Sequence, residues 1–149
     1  GEMLEYTYVN GNAYGTTKKS VEEARARGKN VILDVDTIGA MKIRALCPDA
    51  TLIYILPPSW DELKSRLSST GIYTEEEVNA LMEIAEEEIS CANSYDYILV
   101  NDTISNTLSR FAQIIHSNRY SRNCMKEFLD SYIDGEVKPH VQSYKEALL

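Results

Sequence analysis

The sequence predicts an α/β fold, with a mainly parallel sheet and helices packed outside it. Three β-branched runs, VILDVD (residues 31–36), ATLIYIL (50–56) and YDYILV (95–100), read as strands buried on both faces. Helical patterns with their own start and stop signals lie between them, and this alternation implies parallel strands joined by crossovers. The chain has 149 residues, 44% of them apolar, enough for one domain with a single core and too few to promise two.

The elements follow in order along the chain. EMLEYTYV at the amino end reads as the middle of an element, and the chain opens on Gly1 in place of methionine, which points to a piece of a longer protein. NGNAYG follows as a glycine-spaced turn. In residues 17–28, Ser20 and Glu23 have capping-box spacing, Val21 and Ala24 share a face, and Gly28 offers the stop. After the second strand, SWDELKSRL (59–67) repeats the logic, with Ser59 as cap, Glu62 three residues on, and Trp60, Leu63 and Leu67 along one apolar side. TEEEVNALMEIAEEEIS (74–90) has Thr74 as cap and three glutamates in its first turn, where the helix dipole favours negative charge. Of its further glutamates, Glu83, Glu86, Glu87 and Glu88, most are expected to face solvent. TISNTLSRFAQIIHSN (103–118) places Ile104, Leu108, Phe111, Ile114 and Ile115 on one side of another amphipathic helix. RNCMKEFLDSYI (122–133) and HVQSYKEALL (140–149) read as an appended helix and a short helical tail, split by DGEVKP.

Composition narrows the function classes. A net charge of −8 argues against wrapping a nucleic-acid backbone, which takes a large Lys/Arg excess. Small anionic ligands stay open, since a local positive pocket or a bound cation overrides the global sign. No apolar run approaches the roughly 18 residues of a membrane span, and the amino terminus lacks the layout of a secretory signal. Cys47, Cys91 and Cys124 are far apart and accompanied by only two histidines, so neither a disulfide framework nor a zinc site is signalled. Thiols in a reducing cytoplasm are the expectation.

Chemistry is expected beyond the carboxyl ends of parallel strands. Asp34 and Asp36 stand two apart near the end of one predicted strand, so they share a face. The VILD pattern is that of the strand holding a magnesium-bound water in P-loop phosphotransferases. An aspartate that simply caps the next turn gives the same pattern. A Walker loop needs G-x-x-x-x-G-K-[ST] between a strand and a helix. Gly11 and Gly15 are followed by Thr16, Thr17 and Lys18, and Gly28-Lys29 is followed by Asn30, so neither stretch is an ATP phosphate loop.

The order EMLEYTYVNGNAYGTTKKSVEEARARGK, VILDVD, LIYILPPSWDELKSRL and then YDYILVND resembles guanylate kinase, in register from Gly1 to about Asn118. The resemblance implies a three-layer α/β/α fold of the P-loop nucleoside monophosphate kinase type, and phosphoryl transfer from ATP to GMP with Mg2+. It gives Glu5 the guanine ring, whose N1–H and exocyclic amine form a paired donor edge that suits an acceptor-only carboxylate. By the same likeness the Tyr14 phenol donates to the GMP phosphate and the Thr16 hydroxyl bonds the base. Asp36 reaches the GMP ribose or the water shell of magnesium, and Asp34 is the acidic strand end on the ATP side. Arg66 contacts the transferring phosphates as the catalytic arginine, its planar fork staying charged, and Asn101 lies at the adenine side. Without the resemblance, Tyr14 reads as a packed turn aromatic, Glu5 as a solvated strand residue and Arg66 as a helix cation paired with Glu62.

The resemblance divides the chain into a guanylate-kinase-like domain (residues 1–118) and a C-terminal helical extension (119–149). Within the first, residues 1–16 belong to the GMP-binding segment and 68–90 to the lid. The family's first strand, phosphate loop and phosphate-gripping arginines are not among these residues, so the resemblance implies that this span by itself lacks appreciable activity: either an upstream part supplies them or the protein is not a working enzyme. In the lid, Thr70 and Leu81 stand where the family carries arginines. The competing expectation is an inactive guanylate-kinase-like module that binds a protein partner, as in the membrane-associated guanylate kinase scaffolds. Those scaffolds resemble this chain less at YILPPSWDELKSRL. Neither nucleic acid nor membrane is expected as a partner.

Overall fold

The computed structural model describes the backbone of residues 2–9 and 12–135, and the side chains of residues 2–6 and 15–135. Gly1–Asn101 and Asp102–Leu149 form two compact units. The first unit opens with an antiparallel hairpin, β1 (Met3–Val9) and β2 (Asn12–Thr17), where the sequence was read as a turn. Tyr and Thr suit a pleated surface, and pairing with a near neighbour in sequence satisfies both backbones. The register slips between Met3↔Thr17 and Glu5↔Thr16, so Leu4 is an extra residue on β1. That bulge breaks the two-residue alternation, and Leu4 and Glu5 are both buried although they are consecutive.

Helix α1 (Lys18–Ala26) follows directly and is capped by Thr17, which accepts from Ser20 N–H at 3.2 Å. The cap is therefore three residues earlier than the Ser20 of the predicted capping box, because β2 ends at Thr17 and leaves its hydroxyl beside the first free N–H groups. Gly28 adopts φ +73° and closes the helix: its N–H reaches Arg25 O at 2.9 Å, and Lys29 N–H reaches Ala24 O at 3.1 Å. A side chain is strained in that conformation, so glycine is the stop here.

Residues 31–36 carry no strand, contrary to the sequence expectation. Val31, Leu33 and Val35 are half-buried while Ile32, Asp34 and Asp36 are exposed, an alternation of extended backbone with one wet face. A β-branched run becomes a strand only against a ladder partner, and among the described residues it has none. Asp36 then starts α2 (Thr37–Leu46), a helix the sequence reading did not separate from its flanks. The parallel pair is β3 (Ile53–Leu56) and β4 (Tyr97–Val100), in register from Ile53↔Tyr97 to Leu56↔Val100. Leu99 is 3% exposed, but Ile55 and Ile98 keep 55% and 56% of their surface in water, so these strands are not buried on both faces as expected.

One ion pair organises the entry to both strands. Arg44 donates to the Pro48 and Ala50 carbonyls at 3.1 and 2.9 Å and to Asp96 Oδ2 at 2.6 Å, and Leu52 N–H donates to the same oxygen at 2.8 Å. The fork of arginine spans the α2–β3 loop and the start of β4 at once. Between the strands lie α3 (Trp60–Ser69) and α4 (Glu75–Glu88), with Ser59 and Thr74 as their caps. Thr74 is the cap the sequence predicted, and with Glu77 it completes a reciprocal capping box. A 3-10 turn, Ile89–Ser94, leads into β4. Buried Leu4, Ala40, Ile43, Leu52, Val78, Ala92 and Leu99 supply the apolar core of this unit.

The second unit contains α5 (Ile104–Asn118), capped by Thr103, and α6 (Lys126–Ile133), where Phe128 and Tyr132 meet edge to face at 5.1 Å. The predicted tail at 140–149 lies outside the described residues. Asp102 Oδ1 accepts Thr103 N–H at 2.6 Å, and its Oδ2 accepts from Asn106 at 3.2 Å and Arg110 at 3.0 Å. The Thr103 N–H foremost, then the Arg110 and Asn106 donors, hold this carboxyl at about 2, below its ordinary 3.8. A depressed carboxylate contributes above the unfolded value and loses that contribution as pH falls through the folded one. The start of α5 is thus expected to loosen between pH 3.8 and about 2. Carboxyl NMR titration checks this, and a midpoint at the ordinary value excludes it.

Candidate functional site

Glu5 and Thr16 stand directly opposite one another on β1 and β2. The Thr16 hydroxyl donates to Glu5 Oε1 at 2.9 Å, and Glu5 is only 8% exposed. The reading of Glu5 as a solvated strand residue is therefore overturned: the bulge at Leu4 turns the carboxylate inward. A buried charge is costly unless hydrogen bonds compensate it, and among the described residues Thr16 is the side-chain donor to it. The second oxygen, Oε2, lies toward α2.

Gly39 is the α2 residue beside it. A Cβ placed there would stand 3.8 Å from Glu5 Oε2, 3.0 Å from Asp36 Oδ1 and 3.2 Å from Val35 Cβ. Gly39 N–H donates to Asp36 Oδ1 at 2.6 Å, so Asp36 is the cap of α2, the plain alternative its sequence pattern left open. On the outer side of the same contact, Lys42 Nζ of α2 lies 5.4 Å from the centre of the Tyr6 ring of β1. Glu5, Thr16, Gly39 and Asp36 thus form one polar cluster where the hairpin meets the first turn of α2.

The remaining predicted site residues are distributed as follows. Asp34 is exposed on the same side of its segment as Asp36. Asn101 closes β4, its N–H donating to Leu56 O at 2.6 Å. Arg66, in the last turn of α3, donates from Nε to Glu62 Oε1 at 2.7 Å, the i−4 pairing that the sequence allowed. Such half-exposed pairs are weak, and one is readily exchanged for a stronger anion. The backbone of Tyr14 pairs with Thr7 in the hairpin, and its side chain lies outside the described residues.

Sequence reasoning missed a second polar group beside Asp36. Thr37 Oγ1 donates to Glu88 Oε1 at 3.1 Å, so Glu88 is half-buried where its neighbours Glu83, Glu86 and Glu87 are exposed. Tyr54 and Tyr95 meet edge to face at 5.0 Å. Burial pushes both phenols above their ordinary 10.0; Glu88 and Cys91 add to the effect at Tyr54, and Tyr54, Cys91, Glu88 and Asp36 at Tyr95. The signal for Glu88 was its spacing: Val78, Leu81, Ala85 and Glu88 recur on one helical face.

The family model for guanylate kinase matches residues 1–118. The chain belongs to the guanylate kinase family. It is 40% identical over 143 residues to the guanylate kinase of Clostridium acetobutylicum, an alignment covering 95% of this chain and 67% of that protein. To the guanylate kinase of Francisella tularensis SCHU S4 it is 44% identical over 117 residues, or 78% of this chain and 62% of the relative. Against the Polaromonas guanylate kinase the chain spans 57% of the relative's length. The crystal structure of guanylate kinase from Anaplasma phagocytophilum superposes with a TM-score of 0.65 at 31% identity, covering 81% of this chain and 58% of that one. The expected open α/β fold is therefore confirmed. Among the described residues no helix is long and apolar enough to cross a membrane.

The hairpin that presents Glu5 depends on Gly15. A Cβ at Gly15 would run into the Glu5 carbonyl oxygen and come within 2.7 Å of both Met3 Cε and Tyr6 Cβ. Gly15→Ala is expected to destabilise the chain by about 1–3 kcal/mol, the usual cost of overpacking. Urea unfolding measures it, and an unchanged midpoint would show that the hairpin absorbs the methyl.

Proposed function

We propose that the protein carrying this chain transfers a phosphoryl group from ATP to GMP, giving ADP and GDP, and that Glu5 selects the guanine base. The observation that carries this reading is a nearly buried carboxylate with one oxygen held by Thr16 and the other directed toward the first turn of α2. An ionised carboxylate in such a place accepts two hydrogen bonds at once, and guanine offers N1–H and its amine side by side. Adenine presents an acceptor there, which would leave the carboxylate facing a lone pair. The names of the relatives, all guanylate kinases, agree with it.

The other assignments follow from the same reading. Tyr14 donates to the GMP phosphate, and the Thr16 hydroxyl fixes Glu5 and borders the base. Asp36 keeps one oxygen on the α2 cap and turns the other toward the ribose or a hydrated cation. Asp34 and Asp36 offer hard carboxylate oxygens on one exposed side, a donor set that fits Mg2+ held through its own waters and substrate phosphates. When bound with ATP, the ion neutralises charge on the phosphates. Arg66 leaves Glu62 for the transferring phosphates, where a bidentate guanidinium stabilises the charge that builds up in line. Asn101 borders the adenine. Residues 68–90 act as the lid, whose closure excludes water so that ATP is not hydrolysed. Residues 1–118 form the nucleotide-handling domain and 119–149 an extension, and the protein works in the cytoplasm.

Two assays test this. Coupled ADP formation by the complete protein is expected with ATP plus GMP and not with ATP plus AMP. No ADP with GMP would overturn the kinase reading in favour of a protein-interaction module. Glu5→Gln is expected to raise KM for GMP about tenfold to a hundredfold, since an amine then faces a donor in a buried site, and to leave KM for ATP within about twofold. Equal losses for both nucleotides would remove Glu5 from the guanine pocket.

A further inference from the structure

Glu88 occupies an electrostatically unfavourable place. It is the last residue of α4, at the negative end of that helix, and it lies on the helix's packed face in line with buried Val78. Leucine or alanine there would serve packing alone. What offsets the cost is on another element: Thr37, the first residue of α2, donates its hydroxyl to Glu88 Oε1 at 3.1 Å across 51 positions of sequence. The carboxylate of one helix thereby sits at the positive end of the other. Thr37 in turn lies between Asp36, which caps α2, and Gly39, which lies beside Glu5 Oε2.

We propose that Thr37 and Glu88 are a positioning pair that links α4, the helix of the lid segment, to the guanine pocket by fixing the first turn of α2. The inference rests on the guanine-site reading above. Neither residue touches substrate in this scheme. With the pair formed, the Asp36–Gly39 turn is held against Glu5; with it broken, that turn frays and the pocket loses its inner wall. Movement of α4 is thereby felt where GMP binds.

Amide hydrogen exchange on the 149-residue chain, with and without GMP, tests the pair. Glu88→Ala and Thr37→Val are each expected to speed exchange at Gly39 and Ala40 about tenfold, the worth of one hydrogen bond, with the β3 and β4 amides unmoved. The double variant is expected to match the single ones, because both remove the same contact. Thr37→Ser keeps the hydroxyl and Glu88→Gln keeps an acceptor oxygen, so both are expected within about twofold of the parent. Where the parent binds GMP, the first two variants weaken that binding by the same factor and the conservative ones do not. Unchanged exchange at Gly39 and Ala40, additive effects, or uniform acceleration through the whole unit would overturn the pair. If the valine variant does not fold, Glu88→Ala set against Glu88→Gln carries the same comparison. Absence of any GMP-dependent protection in the complete protein would refute the guanine reading instead, while the exchange differences in the 149-residue chain still decide the pair.

Discussion

The first turn of α2 is held by its own cap, by α4 and by close packing at Gly39, and the polar cluster beside the hairpin is built on it. Asp36 supplies the cap through Gly39 N–H, Thr37 reaches Glu88, and Gly39, beside Glu5 Oε2, lacks a Cβ that would crowd Asp36 Oδ1 and Val35 Cβ. Further along the same helix, Arg44 ties its end to the entry of both parallel strands. A helix fixed at both ends by charged groups transmits position rather than absorbing it. The hairpin, the entry to the parallel pair and α4 each touch that element.

The burial of Glu5 follows from backbone irregularity rather than from side-chain preference. In a regular strand, Leu4 and Glu5 would point to opposite faces, one in the core and one in water. The extra residue at Leu4 lets both turn inward, and Thr16 compensates part of the cost of burying the charge. Bulges of this kind re-aim single side chains without disturbing the rest of a ladder, which is why they accompany binding sites.

Local signals were legible, and partner-dependent ones were not. The caps at Ser59 and Thr74 and the stop at Gly28 were read directly, because each is decided within four or five residues of chain. Residues 31–36 were misread as a strand because β-branched side chains state a preference, whereas a ladder needs a neighbour that the sequence does not name. Helix α2 was overlooked for a related reason: Asp36 had been given to chemistry, and Gly39 in its first turn weakens the helical pattern. Of the cluster, the Glu5, Thr16 and Asp36 assignments came from resemblance. Gly39 and the Thr37–Glu88 contact join segments far apart in sequence, and only the fold brings them together. Glu88 was hidden among glutamates that do face water, although its spacing from Val78 placed it on the packed side.

The parallel pair has a practical consequence for anyone handling residues 1–149 alone. Ile55, Ile98 and Val100 on the strands, and Ile32 on the extended segment before α2, present branched aliphatic groups to solvent on backbone that is already straight. Exposed apolar faces of this kind recruit one another. For such a span, colloidal behaviour is governed by concentration, and a binding measurement reports the nucleotide only when the chains are kept dilute enough to stay apart.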